Sequence, residues 1–374
     1  MDKPVKPVIC FFENDMFIYS TEYALLTCSQ DQEITDFLND IEIKYENAMK
    51  IIQLNFDAYA TTPPTGQKLY PSFKACVYIL KHFSECTLRE IMMKHTNLLR
   101  DSSNVLNETQ FQLMTTKNEF IKNVTRAQEM IAAGRVYQLN LTTFFQASVK
   151  SSAELDSLQF FLLMNSRFAG SYKAYLPLPD YSVISFSPEL FLEKKQNILK
   201  TSPIKGSLAS TQNTELGLMK NEKENAELSM IVDLLRNDLN SLETETSAVV
   251  ASHRQLMDLT YIQHTYSEVQ IATSKNLPQV LRQTMPGGSI SGCPKVESLI
   301  AISELENHQR HAYTGSIGWW RGKEFKLNIA IRSFVQTEDK YYYFAGCGIV
   351  YDSDPEKEFL ELINKAGSLN VQFN

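Results

Sequence analysis

FAGCGIVYDSDPEKEFLELINKA, residues 344–366, runs from a glycine-bearing, strand-like segment directly into an amphipathic helix. Asp354 and Pro355 supply a cap and a first helical position. Glu358 and Glu361, at i and i+3, then share one side of the helix. Upstream, NEKENAELSMIVDLLRNDL (221–239) repeats the device, with Leu228, Ile231, Leu234 and Leu235 as its buried face and Glu224 and Glu227 at the same spacing. Each pair alone reads first as a solvated helix face. Together, two carboxylate pairs from separate helices can converge on one hard divalent cation. Magnesium, which keeps several waters and takes one or two carboxylates plus substrate oxygens, suits such a site.

Working outward, the rest of the chain is an ordinary globular sequence. It has 374 residues, 43% hydrophobic and 21% charged, enough for one large domain or two closely packed ones. A net charge of −7 leaves no basic stripe for nucleic acid or for an anionic membrane. Six scattered cysteines without a CxxC pair indicate neither a disulfide framework nor a zinc site, and fit a reducing compartment. No apolar run reaches membrane-spanning length and the start lacks a secretory pattern, so a soluble, cytoplasmic protein is expected.

The first 114 residues read as strands and short helices wrapped on the main body, broken at 61–66 (TTPPTG) and 101–109 (DSSNVLNET). From about residue 115, where a second part running to 374 begins, the pattern sharpens. NEFIKNVTRAQEMIAAG (118–134) is helical, with Gly134 as a stop, and VYQLNLTTFF alternates as a strand. Three more strands, in YSVISFS, ELFLEKK and QNILKTS, lead to TSPIKGS (201–207), where Pro203 and Gly206 predict a tight loop around Lys205. PGGSISGCPK (286–295) and the 344–355 segment expose backbone N–H groups of the kind that cradle carboxylates or phosphates, or else are simple turns. Arg332, in the strand-like NIAIRSF, needs a partner, and a carboxylate is the best available.

These segments, with SPEL, ELE and YTGSIGW between them, occur in an order and spacing that resembles the chorismate-utilising enzymes, over roughly residues 115–370. PIKG, with lysine, resembles the branch that makes aminodeoxychorismate; anthranilate synthases typically carry alanine there. Gln138 stands where water-using members have a lysine base, and a glutamine cannot deprotonate water. The resemblance implies a single α+β unit of anthranilate-synthase-like fold, in which two antiparallel sheets form a central sandwich covered by helices and residues 115–374 are the catalytic part.

It also implies a reaction, chorismate plus ammonia to 4-amino-4-deoxychorismate, toward 4-aminobenzoate and folate. On that reading Lys205 is the nucleophile, Glu189 the acid/base and His264 lies near the departing hydroxyl. Ser207, Gly206, Gln138 and Lys365 line the substrate, and Tyr313, Arg332, Gly346 and Gly348 hold its enolpyruvyl carboxylate. Magnesium is held mainly by Glu227 and Glu361, with Glu224 and Glu358 acting through water. Ammonia comes from a separate glutamine amidotransferase subunit, because the chain shows no glutaminase signature. Leu190, Cys293 and Cys347 depart from the usual arginine, alanine and glycine. Anthranilate synthesis, and a silent chorismate-binding homologue, are the alternatives.

Overall fold

The computed structural model describes residues 6–60, 65–99, 109–149, 156–165, 167–168, 170–209, 222–243, 245–259, 262–367, 369 and 371–372, with side chains omitted at 98–99, 206–209, 222–226, 257–259, 262–264 and 371–372. The segments TTPPTG and DSSNVLNET therefore lie largely outside the described residues.

Alternation of side chains along the strands builds two packed layers. In Lys50–Leu54, Ile51 joins Tyr78 and Trp319 in one buried cluster, while its neighbours Ile52 and Leu54 join Val77 and Trp320 in another. A period of two places successive residues on opposite faces, so one strand serves two cores. The first core lies between the sheets. There Phe12 meets Trp319 and Tyr70 meets Tyr181, and the Tyr78 hydroxyl donates to the Pro177 carbonyl at 2.8 Å. The second core is closed from outside by Ile34, Leu38 and Ile41 of one helix, Leu228 and Val232 of another, and Leu277 and Leu281 of a third.

Among the described residues, pairing is antiparallel except for the short Phe111–Leu113 and Val371–Gln372 pair and a bridge between Gln67 and His308. The two layers are one continuous ladder, because Val8–Phe11 pairs with Tyr172–Pro177 on one side and Phe17–Cys28 on the other. Farther along, Lys50–Leu54 pairs with Ser316–Arg321. The first 114 residues thus contribute central strands to both layers. The expected α+β sandwich is present, with helices on its outer faces.

Local signals set the helix ends. Thr116 caps Lys117–Ala132, and Gly134, at a φ of 74°, follows its last turn. The Asp354 carboxylate accepts from the N–H groups of Glu356 and Lys357 at the start of Pro355–Lys365. Among the described residues no helix is long and apolar enough to cross a membrane.

Candidate active site

Lys205 is not in a loop. It lies in the strand Ile204–Ala209, paired with Ile262–Ala272, and Pro203 separates this strand from Ile198–Ser202, which pairs with the same partner. Proline has no N–H for the ladder, but its carbonyl still accepts from the Ser267 N–H at 3.2 Å. The register then slips between Lys205 and Ser207, so Gly206 forms a bulge immediately after the lysine. Bulges bend a strand and re-aim its side chains. The backbone is pinned there as well, the Thr265 hydroxyl donating to the Lys205 carbonyl at 2.6 Å.

An amide and an amine converge over the bare face of Gly348. A methyl group on that residue would lie 3.1 Å from Gln138 Nε2 and 3.9 Å from Lys205 Nζ. Gly348 and Gly346 lie on the strand Lys340–Ile349, opposite Asn140 and Thr142 of Gln138–Ser148. Lys365 reaches back from the last helix to donate to the Gly346 carbonyl at 2.6 Å and to pair with Glu361 at 2.8 Å.

Glu189 is 7% exposed and follows a sharp anchor: the Ser187 hydroxyl donates to the Ile329 carbonyl at 2.6 Å and accepts from the Glu189 N–H at 3.1 Å. Its Oε1 accepts from the Ser289 hydroxyl at 2.8 Å. Burial raises its carboxyl above the usual range, while the Ser289 hydrogen bond and the nearby Lys205 charge oppose the rise. Here a buried acid stands beside an amine.

Tyr313 is buried and stacks on Phe344 at 5.2 Å, and burial raises its phenol. Arg332 departs from expectation. It sits in the break between the strands Glu324–Ile329 and Ser333–Thr337, at a φ of 49°, where its carbonyl accepts from the Phe186 N–H. This left-handed backbone is unusual for a residue with a side chain. Burial lowers the guanidinium, and neighbouring Tyr343 opposes that.

Of the four expected metal-ligating glutamates, two come together. One donor atom each from Glu358, Glu361 and Cys347 lies within 4.8 Å of the others. Glu358 is 3% exposed and accepts from the Ser353 hydroxyl, whereas Glu361 faces solvent. Glu227, half-buried on Glu222–Asn240, is not in that group. The side chains of Glu224, Ser207 and His264, and any contact of Gly206 beyond its bulge, lie outside the described residues. The backbone does place Ser207 opposite His264 in the ladder.

A model of the chorismate binding enzymes matches residues 28–370. The chain belongs to the chorismate binding enzyme family. It is 34% identical over 262 residues to aminodeoxychorismate synthase component 1 of Bacillus subtilis, covering 67% of this chain and 54% of that protein. Identity to anthranilate synthase component 1 of Aquifex aeolicus is 33%, over 68% of this chain and 52% of that one. The matches thus span about half the length of these curated relatives. Anthranilate synthase component I of Streptococcus pneumoniae superposes with a TM-score of 0.75 at 24% identity, covering 98% of this chain and 90% of that one. The Escherichia coli menaquinone-specific isochorismate synthase gives 0.70 at 19%, covering 98% and 88%. These likenesses speak for the shared fold.

Sequence reading passed over two features of this chorismate binding enzyme. Ser289 reads in the sequence only as part of a glycine-rich turn, yet it holds Glu189. Glu306 and Arg310 lie four residues apart in ELENHQR, and that spacing was the available signal. Arg310 forks onto Glu306 at 2.9 and 2.7 Å, then reaches the carbonyls of Ile290 at 2.8 Å and Asn140 at 2.6 Å. Glu306 also accepts from the Thr142 N–H and hydroxyl at 2.8 and 2.9 Å. The pair ties the strand that starts at Gln138 to the turn that carries Ser289.

Proposed function

We propose that this chain converts chorismate and ammonia to 4-amino-4-deoxychorismate and water, the reaction of an aminodeoxychorismate synthase component I. The observation that carries this reading is the position of Lys205 Nζ, beside the Gln138 amide over Gly348, with Glu189 close enough to feel its charge. Lys205 attacks ring carbon C2 as its neutral amine, both ring double bonds shift, and the C4–O bond breaks. Glu189, whose burial favours the protonated form, gives the proton with which the hydroxyl leaves as water. Ammonia then adds at C4, both double bonds shift back and the C2–lysine bond breaks, and one ammonia proton returns to Glu189. Gln138 at this point offers no base for water, which favours nitrogen over oxygen as the incoming atom.

His264 assists near the departing hydroxyl on this reading, and Ser207 and Gly206 border the ring. Tyr313, Arg332, Gly346 and Gly348 receive the enolpyruvyl carboxylate, with Lys365 behind Gly346. The convergence of Glu358 and Glu361 fits a hard cation. Magnesium held there, with Glu227 and Glu224 of a second helix, would supply positive charge to anchor the ring carboxylate. Residues 1–114 support the catalytic part, 115–374, and a glutamine amidotransferase subunit delivers the ammonia.

The test is to incubate the pure chain with chorismate, magnesium and an ammonium salt and to identify the product by mass and absorbance. Aminodeoxychorismate is expected. Anthranilate with pyruvate, or isochorismate, would replace this reading. Denaturation during turnover without ammonia should trap chorismate less one water on the peptide containing TSPIKGS, and Lys205→Arg, always protonated, should trap none.

A further inference from the structure

Where the strand Ala75–Cys86 gives way to the helix Leu88–Lys94, a thiol and an amine meet outside the active site. The Lys94 ammonium donates to Cys86 Sγ at 3.3 Å, and the Ser84 hydroxyl lies 3.2 Å from the same sulfur. A reciprocal cap fixes the start of the helix: the Thr87 hydroxyl accepts from the Glu90 N–H, and the Glu90 carboxylate accepts from the Thr87 N–H at 2.7 Å. Helical side chains lean toward the N-terminus, so Lys94, in the last turn, reaches back to the strand end. The Tyr19 ring, with its centroid 4.4 Å from Lys94 Nζ, helps to hold the ammonium there. Cys86 is 5% exposed, yet it lines an open cleft of about 390 Å³ with Glu90, Met93 and Lys94, which gives a small solute a path to this residue.

Burial raises the thiols of Cys10, Cys28, Cys76, Cys293 and Cys347 above their usual range, which leaves a thiol inert. The amine in contact sets Cys86 apart as a pair rather than a single thiol. A cysteine oxidised to sulfenic acid condenses with a nearby nitrogen, and here a side-chain nitrogen is already at the sulfur. We propose that Cys86 and Lys94 form a modification site for peroxide, at which the lysine captures the oxidised sulfur as a sulfenamide. The thiolate, with the Lys94 ammonium as its counter-charge, attacks one peroxide oxygen and the O–O bond breaks. The departing hydroxide takes a proton from the ammonium and leaves as water. Sulfur has then given two electrons to peroxide and become a sulfenic acid, and Lys94 is left as a neutral amine. Its nitrogen attacks the sulfur, the S–O bond breaks, and hydroxide departs with an N–H proton as a second water. Thiol, amine and peroxide thus become a sulfenamide and two waters. The S–N link ties the helix to the strand and keeps the sulfur from the irreversible sulfinic and sulfonic acids. A thiol reductant reverses it by attacking sulfur and releasing the amine. Neither residue takes part in the reaction assigned above, so the test needs no chorismate.

The full chain is treated with hydrogen peroxide, alkylated, digested with trypsin without reductant and read by mass. HFSECTLR (82–89) and EIMMKHTNLLR (90–100) should appear as one linked species, uncleaved after Lys94, at their summed mass less two hydrogens. Thiol treatment before digestion should abolish it. Lys94→Arg keeps a cation beside the sulfur, but a guanidinium stays protonated and cannot attack. It should form no linked species, and its Cys86 should label strongly with a dimedone probe for sulfenic acid, where the wild type labels weakly. Lys94 is exposed, so the fold is not at stake in this variant. A wild type that forms no link while its Cys86 labels as strongly as in Lys94→Arg would overturn the proposal, as would a Cys86 that stays reduced while other thiols of the chain are oxidised.

Discussion

Glu189 shows how a single hydroxyl can set an acid. Burial alone drives its proton affinity up, and the Ser289 hydrogen bond, which stabilises the ionised form, moderates that rise. Ser289→Ala should therefore raise the Glu189 pKa further and carry the alkaline limb of the pH–rate profile to higher pH. It should also lower kcat by roughly tenfold or more, the loss of one hydrogen bond to a charged group costing about 1.5–3 kcal/mol. Ser289→Thr keeps the hydroxyl and should restore both. A fall in kcat with an unmoved limb would make Ser289 merely structural. Lys205 and Glu189 stand out in the sequence because TSPIKGS and SPEL are among the motifs that carry the family resemblance. Ser289 stayed hidden because a serine among glycines has no chemistry of its own until the fold sets it 2.8 Å from a buried carboxylate, 100 positions away in sequence.

At the scale of elements, local rules were readable and pairings were not. The Asp354–Pro355 start and the Gly134 stop follow from cap chemistry within a few residues. Lys205 reads as a loop residue from Pro203 and Gly206, because proline and glycine punctuate chains. Here the proline falls between two strands that share a partner and the glycine becomes a bulge, so the same residues interrupt a ladder rather than leave it. Arg332 shows the converse, an apparent strand residue that occupies a break. The Glu306–Arg310 pair decides how the Gln138 strand and the Ser289 turn sit together, since the guanidinium bonds to the backbone of both. Both side chains are 2% exposed. Removing one partner of a buried pair strands the other charge, so Arg310→Met should cost about 3–5 kcal/mol. Denaturant unfolding measures this. A loss below about 1 kcal/mol, the range of exposed pairs, would show that the network does not hold these elements. The double variant Glu306→Leu with Arg310→Met, which leaves no stranded charge, should recover part of the loss.

Across the whole molecule, periodicity and caps mark individual strands and helices, while the α+β sandwich is what the family resemblance implies. The order of strands is another matter, because Val8–Phe11 pairs with a strand over 160 positions away and Lys50–Leu54 with one still farther. No local signal encodes such partners; they follow from which apolar faces can be buried together. His311 sits where these distant parts meet. Its Nε2 accepts from the Leu69 N–H at 3.2 Å, so its Nδ1–H donates to the Ser72 hydroxyl at 2.9 Å; the ring lies 4.3 Å from the Tyr70 ring, and the His311 carbonyl accepts from the Phe56 N–H. Burial, with a smaller contribution from Lys68, holds the imidazole down to about 3, far below its ordinary 6.5. The unfolded chain therefore takes up a proton as pH falls below 6.5, which the folded chain refuses until about 3. Stability from this group is complete above that upper value and is lost progressively through the window. Between about pH 7 and about pH 5.5 the loss should be on the order of 1 kcal/mol. His311→Gln keeps a polar side chain facing Ser72 and Leu69 without a titrating ring. It should be less stable at about pH 7 yet lose about 1 kcal/mol less on acidification to about pH 5.5, as read from paired denaturant curves. Parallel pH dependences in the two proteins would mean that this histidine is not held neutral at the junction and that acid sensitivity arises elsewhere.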